Sequence, residues 1–199
     1  MTETPPYRKP SPDTPDFGAL MLRSYKDDRE YYASLPKKRI GVGALLFYKG
    51  DLLIVQPTYN PAWILPGGTV EAEESPSEAL QRELKEELGL NIQAGSLLAI
   101  DYVSNRDVKG EYMQLLFSAK DLTEYQAQNI RLPMYEIKDF KFVAVEKALE
   151  MLTPIVSRRV HSVILAQEQG LGAIYLEEGR PFYDPLRLAI ADPYSLPKT

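Results

Sequence analysis

The sequence predicts an α/β domain, and three observations carry that prediction. Near-continuous apolar runs of strand length fill residues 40–57. A helix with its own start and stop signals fills residues 76–88. Strand-like segments at 97–119 and 135–145 are then followed by helical spacing up to residue 169. With 199 residues and 44% hydrophobic content, the chain suffices for one domain of ordinary size with terminal extensions.

Taken in order, residues 1–16 hold five prolines and almost nothing apolar, so ordering them is not offset by burial, and a mobile arm is expected. Residues 17–35 are richer, with Leu20, Met21, Leu22, Tyr25, Tyr31 and Tyr32, and are available to fold against the core or a second subunit. IGVGALLFY (40–48) and LLIVQP (52–57) read as two buried strands joined by a tight turn at Gly50-Asp51. LLAIDYVS (97–104) and YMQLLFSA (112–119) form an expected antiparallel pair, and 135–145 a further strand that alternates Ile137, Phe140 and Phe142 with charge. A helix from 144 to 152 is interrupted or restarted by Pro154, and Ile155, Val156, Val160, Val163 and Ile164 continue at helical spacing. The last thirty residues suggest one short strand and an irregular tail. Three segments follow: an N-terminal arm (1–37), a central domain (38–170) and a C-terminal extension (171–199).

Composition excludes several classes. The net charge of −5 and pI near 5.1 give no broad basic footprint, so extended nucleic acid is not an expected partner. A small anionic ligand remains compatible with a local metal or a few arginines. The absence of cysteine rules out disulfides and thiolate metal sites and leaves any metal to oxygen ligands or the single His161. No window approaches the length of a membrane span and the N-terminus has no apolar signal region, so a cytoplasmic protein is expected.

The stretch GGTVEAEESPSEALQRELKEELGL (67–90) sets seven glutamates against one arginine and one lysine. Ser75 can cap a helix, Pro76 suits its first position, Glu78 completes a capping box, and Gly89 is a natural left-handed stop. At about 100° per residue, Leu80, Leu84 and Leu88 share one sector while Glu83, Glu86 and Glu87 form another that borders it. Like charges at this spacing repel. An acidic surface helix is the plain explanation, but the Pro66-Gly67-Gly68 approach, Arg82 within reach of Glu74, and three neighbouring carboxylates favour a site for Mg2+ or Mn2+.

Gly68, Glu74, Arg82-Glu83-Leu84, Glu86-Glu87 and Gly89-Leu90 match, at every fixed position, the signature of the Nudix hydrolase family, which the chain therefore resembles. The resemblance implies an α/β/α sandwich around a mixed sheet over about residues 38–152. It also implies that Glu83, Glu86 and Glu87, joined by the Gly68 carbonyl, hold divalent cations, usually Mg2+ with Mn2+ able to substitute. Glu74 and Arg82 become a structural pair. The implied reaction is attack by water on one phosphorus of a nucleoside diphosphate linked to another moiety, X, with a nucleotide sugar or nucleoside triphosphate as the leading substrates. The cation would neutralise and orient the phosphoryl oxygens and make water acidic enough to react near neutral pH. Glu87 or Glu83 is the first choice as general base and Glu136 the outside candidate, followed by Glu124 and Glu111, each of which also reads as a solvated surface carboxylate.

Family subgroups are marked by a proline or tyrosine downstream of the signature, and the window SNRDVKG (104–110) has neither, which disfavours ADP-ribose and dinucleoside polyphosphate hydrolases. Arg39, Arg106, Lys109 and the Arg158-Arg159 pair are basic groups that could meet phosphate or sugar. Trp63, Tyr59, Tyr48 and Tyr112 could stack on a base, although Trp63 reads first as a packed wall of the glycine loop. Arg39, Trp63, Arg106 and Tyr112 are the substrate-binding candidates, and His161 reads as an ordinary helix residue. The alternatives are a nucleotide-sensing regulatory protein of the same fold, which tends to have a broken signature, and an isopentenyl diphosphate isomerase, which relies on a cysteine this chain lacks. Relatives and the tyrosine-rich segment point to a homodimer.

Overall fold

The structure is a computed structural model that describes residues 28–104, 110–133 and 135–182. The expected arm at 1–16, most of the segment at 17–27 and the tail at 183–199 lie outside the described residues. Two compact units divide at residue 37, Met1–Lys37 and Lys38–Thr199. Within the first, helix α1 (Asp28–Ser34) carries Asp28 and Glu30 in its first turn, where the helix dipole favours acids. The Tyr31 and Tyr32 rings meet edge-on with centroids 5.2 Å apart.

The second unit holds two sheets. Strands β1 (Arg39–Leu45), β4 (Leu97–Val103), β5 (Tyr112–Ser118), β7 (Ile174–Glu177) and β8 (Arg180–Pro181) form a mixed five-stranded sheet in the order β1-β5-β4-β7-β8. β1 runs parallel to β5, β5 antiparallel to β4, and β4 parallel to β7. Strands β2 (Phe47–Tyr48), β3 (Asp51–Pro57) and β6 (Ile137–Val143) make an antiparallel sheet in the order β2-β3-β6. Helix α2 (Pro76–Leu88) is followed later by α3 (Glu124–Gln128), α4 (Val145–Met151) and α5 (Pro154–Glu168).

Period-2 alternation in the buried strands divides the core in two. Leu53 and Val55 of β3 join Val42, Ala44, Leu80, Leu84 and Leu88 in the cluster under α2. Leu52 and Ile54 face the other way, with Ala148 of α4 and Val160 and Val163 of α5. Strands covered on both faces have to read as continuous apolar runs, and this is why residues 40–57 do. Helices over both faces give the α/β/α sandwich with a mixed central sheet that the family resemblance implies.

Two strand expectations are corrected. The strand expected over 40–48 is two, because the chain changes sheet at Leu46, whose carbonyl accepts from the Leu53 N–H at 2.8 Å. β1 therefore pairs with β5, and only β2 folds back on β3, through a two-residue turn with φ of 51° at Lys49 and 88° at Gly50. The single strand expected near the C-terminus is also a pair, β7 and β8, joined by a turn at Glu178 (φ 56°) and Gly179 (φ 77°). The antiparallel pairing of 97–104 with 112–119, and the helix restart at Pro154, are as expected.

Candidate active site

The glycine loop lies along the outer edge of β1. Ala44 N–H donates to the Pro66 carbonyl at 3.1 Å, Val42 N–H to Gly68 at 2.8 Å, and Val70 N–H to Ile40 at 2.9 Å. Side chains are barred here: Gly67 has φ 136°, and a Cβ on it would stand 2.2 Å from the Val42 carbonyl oxygen. A Cβ on Gly68 would stand 2.2 Å from Glu83 Oε1, so the loop backbone and the helix carboxylates are in direct apposition.

α2 supplies those carboxylates. Ser75 Oγ accepts from Glu78 N–H at 3.3 Å while Glu78 Oε2 accepts from Ser75 N–H at 2.8 Å, which is the expected capping box. Gly89 ends the helix with φ 72°. Leu80, Leu84 and Leu88 are fully buried. Counting about 100° per residue, Glu87 lies nearest that stripe, Glu83 next and Glu86 furthest. Burial follows the same order: Glu87 is 4% exposed, Glu83 8%, and the Glu86 side chain 49%.

Burial dominates the electrostatics. It pushes the Glu87 carboxyl up to about 8, against the opposing Gly67 N–H bond to its Oε2 at 2.8 Å and with help from the charges of Glu83, Glu136 and Glu86. Glu83 is also raised, again mainly by burial, with Arg82 opposing. The phenol of the exposed Tyr59 is raised by partial desolvation and then by the charges of Glu87, Glu136 and Glu83. Glu136 reaches this group by its charge, while its carbonyl accepts from Thr58 N–H at 2.8 Å.

Arg82 forms the expected pair with Glu74 as a two-point fork, Nη2 to Oε1 at 2.7 Å and Nε to Oε2 at 3.2 Å. It also does more than expected. Its Nη1 donates to Glu83 at 2.9 Å and Glu86 at 3.1 Å, and Nη2 donates to the Thr69 carbonyl at 3.0 Å. The like-charge cost of the helix is thus met in part by Arg82 itself. Among the described residues, no three His, Cys, Asp or Glu side chains converge closely enough to hold a metal as they stand.

The donor chemistry nonetheless fits a hard divalent cation: carboxylate oxygens, two of them buried and disfavoured as bare anions, beside a carbonyl at Gly68 that keeps a second lone pair after accepting from Val42. Glu86, half-exposed and bonded to Arg82, is the ligand candidate that would have to turn.

Beside the loop opens a cavity of about 250 Å³, lined by Gly67, Gly68, Thr69, Arg39, Tyr112, Gln114 and Arg159 among others. The Arg39 guanidinium lies over the Tyr112 ring, 4.9 Å from its centroid, so these two substrate-binding candidates are brought together. Trp63 does not line the cavity. It is partly buried against the cluster that includes Ala148 of α4 and Val160 of α5, with Lys141 over its ring at 4.9 Å. Arg106 and Lys109 lie outside the described residues. Tyr48 packs on Phe142 at 5.3 Å, Glu111 is held by Lys38 and by the Tyr102 hydroxyl, and Glu124 begins α3. Two groups had no sequence signal of a site role: Gln114 in the cavity wall, and Asp101, which receives Arg159 Nε at 2.7 Å in the interior.

The model of the NUDIX domain matches residues 37–163. The chain belongs to the Nudix family. An ADP-ribose pyrophosphatase of Methanocaldococcus jannaschii is 32% identical over 95 residues, 46% of this chain and 56% of the relative. The mouse diphosphoinositol polyphosphate phosphohydrolase 3-alpha is 36% identical over 73 residues, 37% of this chain and 44% of the relative. The chain thus spans about half the length of these relatives. The crystal structure of a MutT protein from Methanosarcina mazei Go1 superposes with a TM-score of 0.59 at 23% identity, covering 68% of this chain and 99% of that one, a likeness of fold. Within this Nudix domain the helix carrying the signature is α2, and the sandwich sets it against the glycine loop.

Proposed function

We propose that this Nudix domain is a Mg2+-dependent pyrophosphohydrolase, with Mn2+ able to substitute, that cleaves a nucleoside diphosphate linked to another moiety, a nucleotide sugar or nucleoside triphosphate first. The observation that carries the reading is the apposition of two buried carboxylates, Glu83 and Glu87, to a glycine loop whose backbone has no room for side chains. A bound cation would supply charge neutralisation on the anhydride oxygens and a more acidic water. Glu83, Glu86 and Glu87, with the Gly68 carbonyl, would hold it.

The protein's own groups do the rest. Gly67 N–H fixes Glu87 Oε2, which leaves Oε1 free to accept a proton from the attacking water. Glu83 is the second candidate for that role. Glu136, which adds negative charge to both, is the outside one. Arg82 and Glu74 brace the loop on the helix, and Arg39 and Tyr112 offer charge and a ring to the substrate. The readings of a cytoplasmic homodimer and of an N-terminal arm, a central domain and a C-terminal extension are part of this proposal. Among the described residues no helix is long and apolar enough to cross a membrane.

The test is a phosphate-release screen across nucleotide sugars, nucleoside triphosphates, dinucleoside polyphosphates and cap analogues with Mg2+ and Mn2+, run beside Glu86→Gln and Glu87→Gln. At least one substrate should turn over, with a loss of about 100-fold or more in each variant. Equal turnover by wild type and both variants, or none by any, would sink the hydrolase reading.

A further inference from the structure

The wall of the cavity beside the glycine loop holds a guanidinium, that of Arg159, which the hydrolytic scheme does not use. Arg159 is only 4% exposed, and it lines the cavity. Its Nε donates to Asp101 Oδ2 at 2.7 Å, and Asp101 Oδ1 accepts from Gly179 N–H at 3.0 Å, so both oxygens of that fully buried carboxylate are engaged. Arg159 Nη2 is buried and has no hydrogen-bond partner among the described residues. A buried guanidinium donor left unpaired is costly, and here the cavity that Arg159 lines is where an acceptor can come from.

The rest of the wall says what kind of acceptor. Arg39 contributes a second guanidinium, held over the Tyr112 ring, and no carboxylate is among the described residues lining the cavity. Gln114, whose Oε1 lies 2.5 Å from where a Cβ on Gly41 would stand, lies across the glycines of the neighbouring β1 and is part of the cavity wall. Two guanidiniums thus stand in the wall and only one of them is paired with a carboxylate, Asp101, while the planar fork of arginine suits phosphate and carboxylate oxygens.

We propose that this cavity is a subsite for an anionic group, phosphate or carboxylate, carried by the substrate beyond its scissile anhydride, with the guanidiniums of Arg159 and Arg39 as its donors. The proposal rests on the hydrolase reading, in which the anhydride meets a cation held by the α2 carboxylates and the Gly68 carbonyl, and it narrows X to moieties bearing such a group. Arg159 is then a specificity determinant whose orientation Asp101 fixes.

The test titrates metal-free protein with inorganic phosphate, malonate and uridine by calorimetry at low salt, so that no cation at the carboxylates can recruit the anion. One of the two anions should bind saturably at one site per chain, and which one does so more tightly tells phosphate from carboxylate. Arg159→Lys, which keeps a charge for Asp101, should weaken that binding at least tenfold, and Arg39→Gln several-fold, with cooperative melting kept. Should Arg159→Lys fail to fold, the unmodified protein decides: the 15N guanidinium signal of its buried arginine should shift in step with anion occupancy. Binding of uridine alone, binding of no anion, anion binding unchanged by Arg159→Lys, or an unmoved arginine signal would each overturn the subsite. None of these outcomes touches the phosphate-release screen, so the subsite can fail while the hydrolase reading stands.

Discussion

At Gly67 a single hydrogen decides whether the site can exist. The residue combines φ 136° with a gap of 2.2 Å between its would-be Cβ and the Val42 carbonyl, and its N–H orients Glu87. Gly67→Ala is therefore expected to lose at least about 2 kcal/mol of stability in urea unfolding, and to lose activity even at temperatures where it stays folded. Asp101 is the other exacting position. Replacing it with Asn leaves the buried Arg159 charge without its partner, and a loss of about 3–5 kcal/mol should appear as a lower urea midpoint at unchanged slope. The sequence offered Arg158-Arg159 as basic groups for phosphate or sugar, but nothing local marks Asp101 as the partner of Arg159. Their partnership spans residues far apart in the chain and depends on β7 pairing with β4 so that Gly179 can reach Asp101.

Among the elements, α2 was the most legible. Its cap, proline, leucine stripe and glycine stop are all local signals, and they agree with its packing, so start, end and buried face follow from residues 75–89 alone. Ser75→Ala should cost about 1 kcal/mol in thermal or urea melts and leave the substrate profile unchanged, since the cap is remote from the cavity lining. Strands were legible as strands but not as partners. Apolar runs buried on both faces look alike whichever neighbour they pair with, and the change of sheet at Leu46 is set by tertiary pairing, which no local pattern encodes. The short α3 was not anticipated, although Thr123 and Gln126 repeat the capping box of Ser75 and Glu78. Five residues are too few for a periodic signal. In the site, the fork of Arg82 on Glu74 was readable, whereas its grip on Glu83 and Glu86 needs rotamers that only the fold fixes.

For the whole molecule, the carboxylate site should set how stability responds to pH and metal. Glu87, near 4.5 when unfolded and about 8 when folded, stabilises the fold fully below about 4.5 and ceases to as pH rises through about 8. Glu83 acts in the same direction. Glu74, Glu78, Glu111 and Glu178 are shifted down and act in the opposite sense only in the acid range below the usual carboxylate value. In EDTA the melting temperature should therefore fall between about pH 5 and pH 8, and saturating Mg2+ should flatten that fall. A metal-free melting profile flat across this window would contradict the buried, proton-holding state of Glu87. Oligomeric state is a separate question for light scattering, where the expected mass is twice that of the chain.

The central claim is that the charge-crowded face of α2 is a cation site. Calorimetric titration of Mn2+ into the metal-free protein at pH 7, in two buffers of different ionisation enthalpy, tests it most directly. Saturable binding with net proton release is predicted, with affinity falling about tenfold or more in Glu86→Gln and Glu87→Gln and the release lost in Glu87→Gln. Absence of binding, or binding of equal strength and equal proton count in all three proteins, would contradict it.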